Sequence, residues 1–234
     1  MKQIIAMGGG GFSMEPENII LDQYILEQAN ASKPKICFLP TASGDADSYI
    51  ERYYHSFKSL SSEPSHLSLF KPSTRDIEGF LLDKDIIYVG GGNTKCMLAL
   101  WREWGIDSIL RKAWECGIIL AGLSAGSICW FEEGTTDSYG DSLDTIKGLG
   151  LLKGSHSPHY DGEENRRPLY QTFIEEGKLK AGYAADDGAA LHFIDEALSN
   201  AVSSREHASV YWVEKKDGLI RETKLPTKYL KHNT

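Results

Sequence analysis

Short apolar segments rich in β-branched residues alternate with amphipathic stretches through the first half of the chain. The apolar segments have the length of buried strands, and the stretches between them carry apolar residues at helical spacing. This alternation is typical of a parallel sheet covered by helices. We therefore predict an α/β fold, in which residues 1–234 form a single domain with a largely parallel central sheet flanked by helices on both faces. The predicted strands are residues 4–7, 36–39, 86–89 and 118–121, and the predicted helices are residues 16–26, 49–60 and 94–104.

The pattern changes after residue 131, where a glycine-rich and polar passage begins. Only one helix is predicted beyond it, over residues 166–176. Two apolar runs at residues 210–213 and 219–220 are joined through a Lys-Asp-Gly turn, which predicts a closing hairpin.

Composition narrows the classes of function. The chain has 234 residues, 41% hydrophobic and 25% charged, which fits one globular core. Its net charge of -8 argues against a nucleic-acid partner, because phosphate binding requires a clustered basic surface. No apolar run has the length of a signal or membrane segment, so we expect a cytoplasmic protein without a membrane partner. The cysteines form no Cys-x-x-Cys pair, and we expect all four to be reduced and buried, without structural zinc. They are Cys37, Cys96, Cys116 and Cys129.

Residues 122–126, Gly-Leu-Ser-Ala-Gly, lie between the last predicted strand and a run, residues 125–131, that is compatible with a helix. In a strand-to-helix elbow the central residue has strained backbone geometry, and the flanking glycines remove side chains that would collide. Ser124 would then project over the carboxyl edge of the sheet as a nucleophile. The backbone N–H of Ala125 would face a developing oxyanion.

A serine nucleophile needs a base, and three of the seven histidines remain candidates. His192 lies in an apolar run and is predicted to be a histidine of a core-edge strand. His156 and His159 lie in a segment punctuated by glycine and proline, typical of a loop that carries catalytic side chains. Of these two we prefer His159. A metal site formed by both histidines with Asp161 lacks further ligands, so we expect no metal and no cofactor.

The third member of a triad must be a carboxylate that orients the imidazole. Sequence spacing alone does not choose among the acidic residues between serine and histidine. These are Glu132, Glu133, Asp137, Asp141 and Asp144.

Two glycine runs follow predicted strands. Residues 90–94, Gly-Gly-Gly-Asn-Thr, precede a helix, so their backbone N–H groups could bind an anion or complete an oxyanion hole. Residues 8–11 are four glycines that lack the spacing of a dinucleotide fingerprint. We expect this second run to be a flexible loop at the rim of the site.

Three segments together resemble the peptidase E and cyanophycinase family of serine hydrolases, whose fold is similar to the class I glutamine amidotransferase domain. They are residues 89–94, residues 122–126 and residues 157–160, Ser-Pro-His-Tyr. They occur in the family's order, and the resemblance extends from Ile4 to about Leu191. It implies that Ser124 is the nucleophile and His159 the base.

The resemblance also implies further site residues. Peptidase E carries a Thr-Thr-Asn-Asp stretch with its catalytic aspartate, and residues 135–138, Thr-Thr-Asp-Ser, resemble it, which favours Asp137 as the acid. Cyanophycinases use a glutamate, so Glu133 stays an alternative. Gly91 or Gly92 would join Ala125 in the oxyanion hole. Substrate contacts are expected from Asn93 and from Arg166, which resembles the arginine of a Glu-Thr-Arg stretch in peptidase E.

Peptidase E-like enzymes cleave short peptides after an N-terminal aspartate. The resemblance therefore implies a serine peptidase, acting as a monomer or homodimer on a short peptide substrate. An esterase or amidase is an alternative, although an α/β-hydrolase would place its histidine near the end of the chain. A module that binds a ligand on the same fold without catalysis is a second alternative.

Overall fold

The computed structural model describes residues 1–140 and 142–231. The strands, numbered in chain order, are β1 (Gln3–Met7), β2 (Lys35–Leu39), β3 (Glu63–His66), β4 (Ile86–Val89), β5 (Ile119–Leu123), β6 (Phe131–Thr136), β7 (Asp144–Lys147), β8 (Leu152–Ser157), β9 (Gly182–Ala185), β10 (Ala189–Ile194), β11 (Ala197–Ser203), β12 (Val210–Lys216), β13 (Leu219–Leu225) and β14 (Lys228–Tyr229). The helices are α1 (Gly11–Met14), α2 (Ile20–Glu27), α3 (Asp47–Lys58), α4 (Ile77–Leu82), α5 (Thr94–Trp104), α6 (Ile106–Glu115), α7 (Ala125–Ile128) and α8 (Arg166–Glu175), and a 3-10 turn spans Thr41–Ser43.

The first sheet has eight strands in the order β14-β11-β10-β1-β5-β4-β2-β3. Strands β1, β5, β4, β2 and β3 are mutually parallel, and β10 pairs antiparallel with β1. Residues of β1, β4 and β5 are buried throughout, which explains why these strands appear in the sequence as continuous apolar runs. The predicted α/β fold with a parallel central sheet and helices on its faces is therefore confirmed.

The described residues also form a second sheet of six strands, in the order β13-β12-β9-β8-β6-β7, of which only the closing hairpin, β12 and β13, was predicted. Its strands β6, β8 and β9 are parallel and come from the polar passage after residue 131. Hydropathy does not reveal them because several of their buried side chains are hydroxyls that bond to one another. Thr135 and Ser157 are joined Oγ1 to Oγ at 2.8 Å, and Ser155 Oγ lies 2.8 Å from the hydroxyl of Tyr170.

Of the three apolar clusters among the described residues, two include strands of the first sheet. One cluster includes Leu120 of the first sheet and Phe131, Leu152 and Val210 of the second, so a common core joins the two sheets. The other lies under α3, whose aromatic face packs on β2 and β4. In it, Phe38 stacks on Tyr53 with ring centroids 4.8 Å apart.

Across the described residues, no helix combines the length and the apolar character that a membrane crossing requires. Cys37 and Cys129 are buried, as predicted. The expectation for the other two cysteines was wrong, because Cys96 and Cys116 are exposed, the first in α5 and the second directly after α6.

Candidate active site

The candidate site lies where parallel strands of both sheets end. Ser124 follows β5, the glycines at 90–92 follow β4, and those at 8–11 follow β1. In the second sheet, His159 comes two residues after β8. Loops at the carboxyl ends of parallel strands meet at one edge, which is where α/β proteins build their sites.

Ser124 has a positive φ of 54°, with ψ -118°, which is costly for a residue that carries a side chain. The two flanking glycines permit this turn. A Cβ on Gly122 would lie 2.3 Å from the carbonyl oxygen of Gly126, and a Cβ on Gly126 would lie 2.2 Å from that of Val89. The helix after the serine is shorter than residues 125–131, since α7 spans only Ala125–Ile128.

The end of β1 holds the backbone of both Ser124 and His159. The N–H of Ser124 donates to the carbonyl of Met7 at 3.3 Å, and the N–H of His159 donates to the carbonyl of Gly8 at 3.3 Å. Two consecutive carbonyl groups thus bring the serine and the histidine to one edge. Within the described part of the chain, the side-chain oxygen of Ser124 forms no hydrogen bond to the imidazole, and such contacts are often long before substrate binds.

The imidazole of His159 is oriented by a carboxylate that the sequence analysis did not single out. Nδ1 of His159 lies 2.6 Å from Oδ1 of Asp187, and both side chains are largely buried. Burial alone would raise the pKa of Asp187, but its hydrogen bond and electrostatic interaction with His159 and the positive charges of Arg205 and Arg166 hold that pKa below its ordinary value. The carboxylate of Asp187 is therefore ionised at neutral pH. As an acceptor it requires a donor, so Nδ1 of His159 carries the proton of this hydrogen bond. Nε2 of His159 is left as the basic nitrogen.

The geometry does not support Asp137 as the acid, and it supports Glu133 no better. Asp137 is exposed after β6 and makes no hydrogen bond to His159 among the described residues. Glu133 is buried, but Oε1 accepts from the N–H of Lys180 at 2.6 Å and Oε2 from Nζ of Lys147 at 2.5 Å. Both of its oxygens are therefore occupied within the second sheet.

The remaining candidate acids do not reach the histidine either. Glu132 accepts from the N–H of Gly154 and from Lys180, and Asp144 accepts from the N–H of Thr145. Asp141 lies outside the described residues. Asp187 was missed because only acids between serine and histidine were considered. No local signal in the sequence marks Asp187, because its place beside His159 depends on the pairing of β9 with β8.

The glycine run after β1 is not a flexible rim loop, since Gly8, Gly9, Gly10 and Gly11 are all buried. A Cβ on Gly8 would lie 2.3 Å from the carbonyl oxygen of Asp186, and one on Gly9 would lie 2.1 Å from Oδ1 of Asp187. These two positions must be glycine for the end of β1 to approach the Asp187 segment so closely.

His156 lies behind the serine turn. It is fully buried in β8 and stacks on Phe131, with ring centroids 4.7 Å apart. The distance between its Nε2 and Oγ of Ser127 is 3.0 Å. Ser127 in turn donates to the carbonyl of Ser124 at 2.8 Å. Burial lowers the pKa of His156 to about 3, so this imidazole is neutral at physiological pH.

The glycine turn after β4 packs against the nucleophile. A Cβ on Gly91 would lie 3.3 Å from Cβ of Ser124 and 3.7 Å from its Oγ. The N–H of Gly91 donates to the hydroxyl of Tyr49 at 3.2 Å. Gly92 has φ 137°, and a Cβ there would lie 2.2 Å from the carbonyl oxygen of Ala42. In the described residues, the N–H groups of Gly92 and Ala125 make no hydrogen bond.

Asn93 is the N-cap of α5, a role that the sequence analysis did not assign. Its Oδ1 accepts from the N–H of Cys96 at 2.8 Å, and its Nδ2 donates to the carbonyl of Ser138 at 3.2 Å. Both ends of the amide are engaged within the protein, so the geometry does not support a direct substrate contact.

Arg166 is buried at the start of α8, with 3% of its surface exposed. Its guanidinium contacts Glu163 and Thr135 and lies close enough to Asp187 to affect the pKa of that carboxyl. Arg167 points elsewhere. It is paired with Glu222 and lies between the rings of two tyrosines, so it is not free to serve the site.

Two solved peptidase structures share this fold. A peptidase from an acI-B1 Actinobacterium matches with a TM-score of 0.67, covering 97% of this chain and 95% of that one, at 18% identity. A putative peptidase E from Listeria monocytogenes EGD-e matches with a TM-score of 0.58, covering 97% of this chain and 100% of that one, also at 18% identity. At such low identities the comparison establishes the fold alone. The chain is therefore an α/β protein with the same fold as these peptidases.

The family follows from sequence. The model of peptidase family S51 matches residues 4–201, and the chain belongs to that family. An uncharacterized peptidase of Bacillus subtilis strain 168, YgaJ, is 60% identical over 230 residues, covering 98% of this chain and 100% of that protein. An uncharacterized peptidase of Listeria monocytogenes, Lmo0363, is 27% identical over 142 residues, covering 57% of this chain and 69% of that protein. The resemblance to the peptidase E family is thereby confirmed, and the chain is a peptidase by family.

Proposed function

We propose that this chain is a serine peptidase that hydrolyses short peptides, with Ser124 as nucleophile, His159 as general base and Asp187 as the acid of the triad. The observation that carries the proposal is the 2.6 Å contact between His159 and Asp187 at the sheet edge where Ser124 turns. An imidazole held in one tautomer next to a strained serine is the arrangement that serine hydrolases use. Membership of a peptidase family supports a peptide bond as the target.

In the proposed reaction, Oγ of Ser124 attacks the carbonyl carbon of the scissile bond, and its proton passes to Nε2 of His159. The tetrahedral intermediate collapses as the C–N bond breaks, and the imidazolium returns the proton to the leaving amine. Water then attacks the acyl-enzyme ester, with His159 again as base. This step releases the carboxylic acid product and restores the hydroxyl of Ser124. Asp187 stays ionised throughout and stabilises the imidazolium.

The negative charge on the carbonyl oxygen needs N–H donors, and the N–H groups of Gly92 and Ala125, which have no acceptor among residues 1–140 and 142–231, are suited to this role. The N–H of Gly91 is less available, because the hydroxyl of Tyr49 already accepts from it. The proposed oxyanion hole therefore consists of the Gly92 and Ala125 amides. Gly91 contributes by leaving room beside Ser124.

For specificity, we propose that Arg166 binds an aspartate side chain of the substrate. A buried guanidinium can grip a carboxylate by two parallel hydrogen bonds, and leaving that carboxylate unpaired would be costly. The burial of Arg166 and its proximity to Asp187 support this role. The engagement of Arg167 with Glu222 removes the neighbouring arginine as a competitor for it.

The test combines active-site labelling with a peptide screen. A fluorophosphonate should modify the wild-type protein at Ser124, located by mass spectrometry, and should leave Ser124→Ala unmodified. A panel of dipeptides with varied N-terminal residues should show cleavage with a preference for aspartate. Ser124→Ala should lose on the order of a millionfold in rate, with an unchanged thermal unfolding midpoint.

The two alternative functions give different results in the same test. A module that binds a ligand without catalysis would resist labelling and cleave none of the peptides. An esterase would be labelled at Ser124 and would hydrolyse a nitrophenyl ester, but it would leave every dipeptide intact. Either result would refute the proposed peptidase activity.

A further inference from the structure

The guanidinium of Arg166 is nearly saturated by the protein itself. Its Nε donates to Oε2 of Glu163 at 2.8 Å, and its Nη2 lies 2.6 Å from the same oxygen. On the other side, Nη1 faces Thr135, with the carbonyl oxygen at 3.2 Å and Oγ1 at 3.4 Å. Arginine has five N–H donors. These contacts leave at most one N–H, on Nη2, for any further acceptor.

A carboxylate binds a guanidinium with two N–H groups along one edge. The edge formed by Nε and Nη2 is occupied by Glu163, and on the other edge Nη1 is turned toward Thr135. The contact with Thr135 involves the backbone of β6, which is fixed by its neighbouring strands. Glu163 is different, because its side chain is 46% exposed and lies on the connection before α8. Its carboxylate can move into solvent when another carboxylate takes its place on Arg166.

We propose that Glu163 is an internal competitor that occupies the place of the substrate carboxylate on Arg166 and is displaced when an acidic residue binds. This inference rests on the proposed role of Arg166 in receiving the substrate's aspartate. The exchange keeps the buried guanidinium paired at every stage, because one carboxylate replaces another. A neutral side chain offers no replacement, so Glu163 stays in place and the position remains filled. Glu163 is thus a specificity-determining residue that acts by competition.

A purely structural role for Glu163 leads to the opposite expectation. If the glutamate served only to orient Arg166, its removal would loosen the guanidinium and weaken the binding of an acidic ligand. If it is a competitor, its removal must strengthen that binding. The sign of the change in affinity therefore separates the two roles.

The experiment measures the binding of L-aspartate by isothermal titration calorimetry, with L-asparagine as the neutral probe. Glu163→Gln should bind L-aspartate about fivefold more tightly than wild type, as expected when a partly exposed ion pair no longer competes. Glu164→Gln is the matched control, since it removes the same charge from the adjacent exposed residue. It should change the affinity by less than about twofold, which accounts for the general effect of charge on an anionic ligand.

Unchanged or weaker binding of L-aspartate by Glu163→Gln would overturn the proposal, as would equal tightening in both variants. It would also be overturned if L-aspartate bound to none of the proteins, or if L-asparagine gained as much affinity as L-aspartate. The binding readout is independent of turnover. A protein that cleaves aspartyl peptides but shows no tightening refutes the competitor alone, and one that shows tightening without any cleavage refutes the proposed peptidase activity alone.

Discussion

His159 and Asp187 are 28 residues apart in sequence, yet Nδ1 of the imidazole lies 2.6 Å from Oδ1 of the carboxylate. The contact follows from sheet topology, because β8 and β9 are parallel neighbours and each residue comes two positions after its strand. Asp137 follows β6, the neighbour of β8 on the other side. The two aspartates thus flank the histidine in the order of the strands, and only Asp187 turns its carboxylate to it.

The first prediction concerns this choice of acid. Asp187→Asn should lower kcat on a cleaved peptide by about a thousandfold to ten-thousandfold, because an amide no longer selects the tautomer with Nε2 free. KM should change little. Asp137→Asn is the control and should retain near wild-type activity, since that side chain is exposed and unpaired with the site in the described residues. A larger loss in the control than in Asp187→Asn would return the role to Asp137.

The second prediction concerns the space beside the nucleophile. In Gly91→Ala the new methyl group would lie 3.2 Å from Cδ1 of Leu123 and 3.3 Å from Cβ of Ser124, closer than ordinary packing allows. A small displacement of the serine should lower kcat on the order of tenfold or more, since reacting groups tolerate little misplacement. The backbone of Gly91 does not have positive φ, so the fold should remain.

The matched variant for this test is Gly92→Ala. There the methyl group would meet the carbonyl oxygen of Ala42 at 2.2 Å in a backbone region that disfavours side chains, so the thermal unfolding midpoint should fall. Steady-state kinetics and thermal unfolding of both variants check the pair. Gly91→Ala with full activity would show that the site has more room than the geometry indicates.

Sequence reasoning succeeded where hydrophobicity determines structure. The helix predicted at residues 94–104 is α5, and the strand predicted at residues 86–89 is β4, because both present the apolar pattern of buried elements. It failed for the parallel strands β6, β8 and β9 of the second sheet, where buried hydroxyls replace apolar side chains. It also missed α6, which begins at Ile106 directly after Gly105 ends α5 in a left-handed conformation.

In the candidate site, residues in distinctive local segments were predictable, and residues placed by strand pairing were not. Ser124 and His159 were found because each lies in a segment with distinctive punctuation, and their roles stay predictions that the geometry supports. Asp187 depends on which strand lies next to β8, and a sequence carries no local sign of that neighbour. The buried state of Gly8 and Gly9 depends on the same long-range pairing with the Asp187 segment.

The third prediction separates the two neighbouring histidines. His159→Ala should abolish turnover, with little effect on stability, because the imidazole is the proposed base and makes one side-chain hydrogen bond in the described residues. His156→Ala should instead lower the free energy of unfolding by about 2–4 kcal/mol, since it removes a buried ring that stacks on Phe131. Activity should fall much less than in His159→Ala. Peptide hydrolysis and urea unfolding of both variants make the comparison.

The opposite ranking, with turnover lost in His156→Ala and retained in His159→Ala, would show that His159 is not the base. If both variants lost turnover while both kept wild-type stability, His156 would have a direct part in the chemistry, contrary to its position behind Ser127.

The last prediction concerns Asp22, a fully buried carboxyl group of α2 next to the glycine run after β1. It accepts a hydrogen bond from the N–H of Phe12 at 2.7 Å and one from the hydroxyl of Tyr88 at 3.2 Å. Burial raises its pKa to about 7 from an ordinary value of 3.8, although these hydrogen bonds act in the opposite direction and the charge of Glu15 adds to the increase. The folded protein therefore binds a proton here more tightly than the unfolded chain does.

Between about pH 4 and pH 7 the folded state carries more protons at Asp22 than the unfolded state, so the stability due to this group falls as pH rises. The expected difference between pH 5 and pH 8 is about 2–3 kcal/mol, since each pKa unit corresponds to about 1.4 kcal/mol. Asp22→Asn cannot titrate and should remove this part of the pH dependence. Urea unfolding of wild type and variant at both pH values measures it, with Asp47→Asn, an exposed residue of α3, as control. If Asp22→Asn kept the full wild-type difference while Asp47→Asn also did so, the pH dependence would arise elsewhere, and Asp22 would be ionised in the folded protein at both pH values.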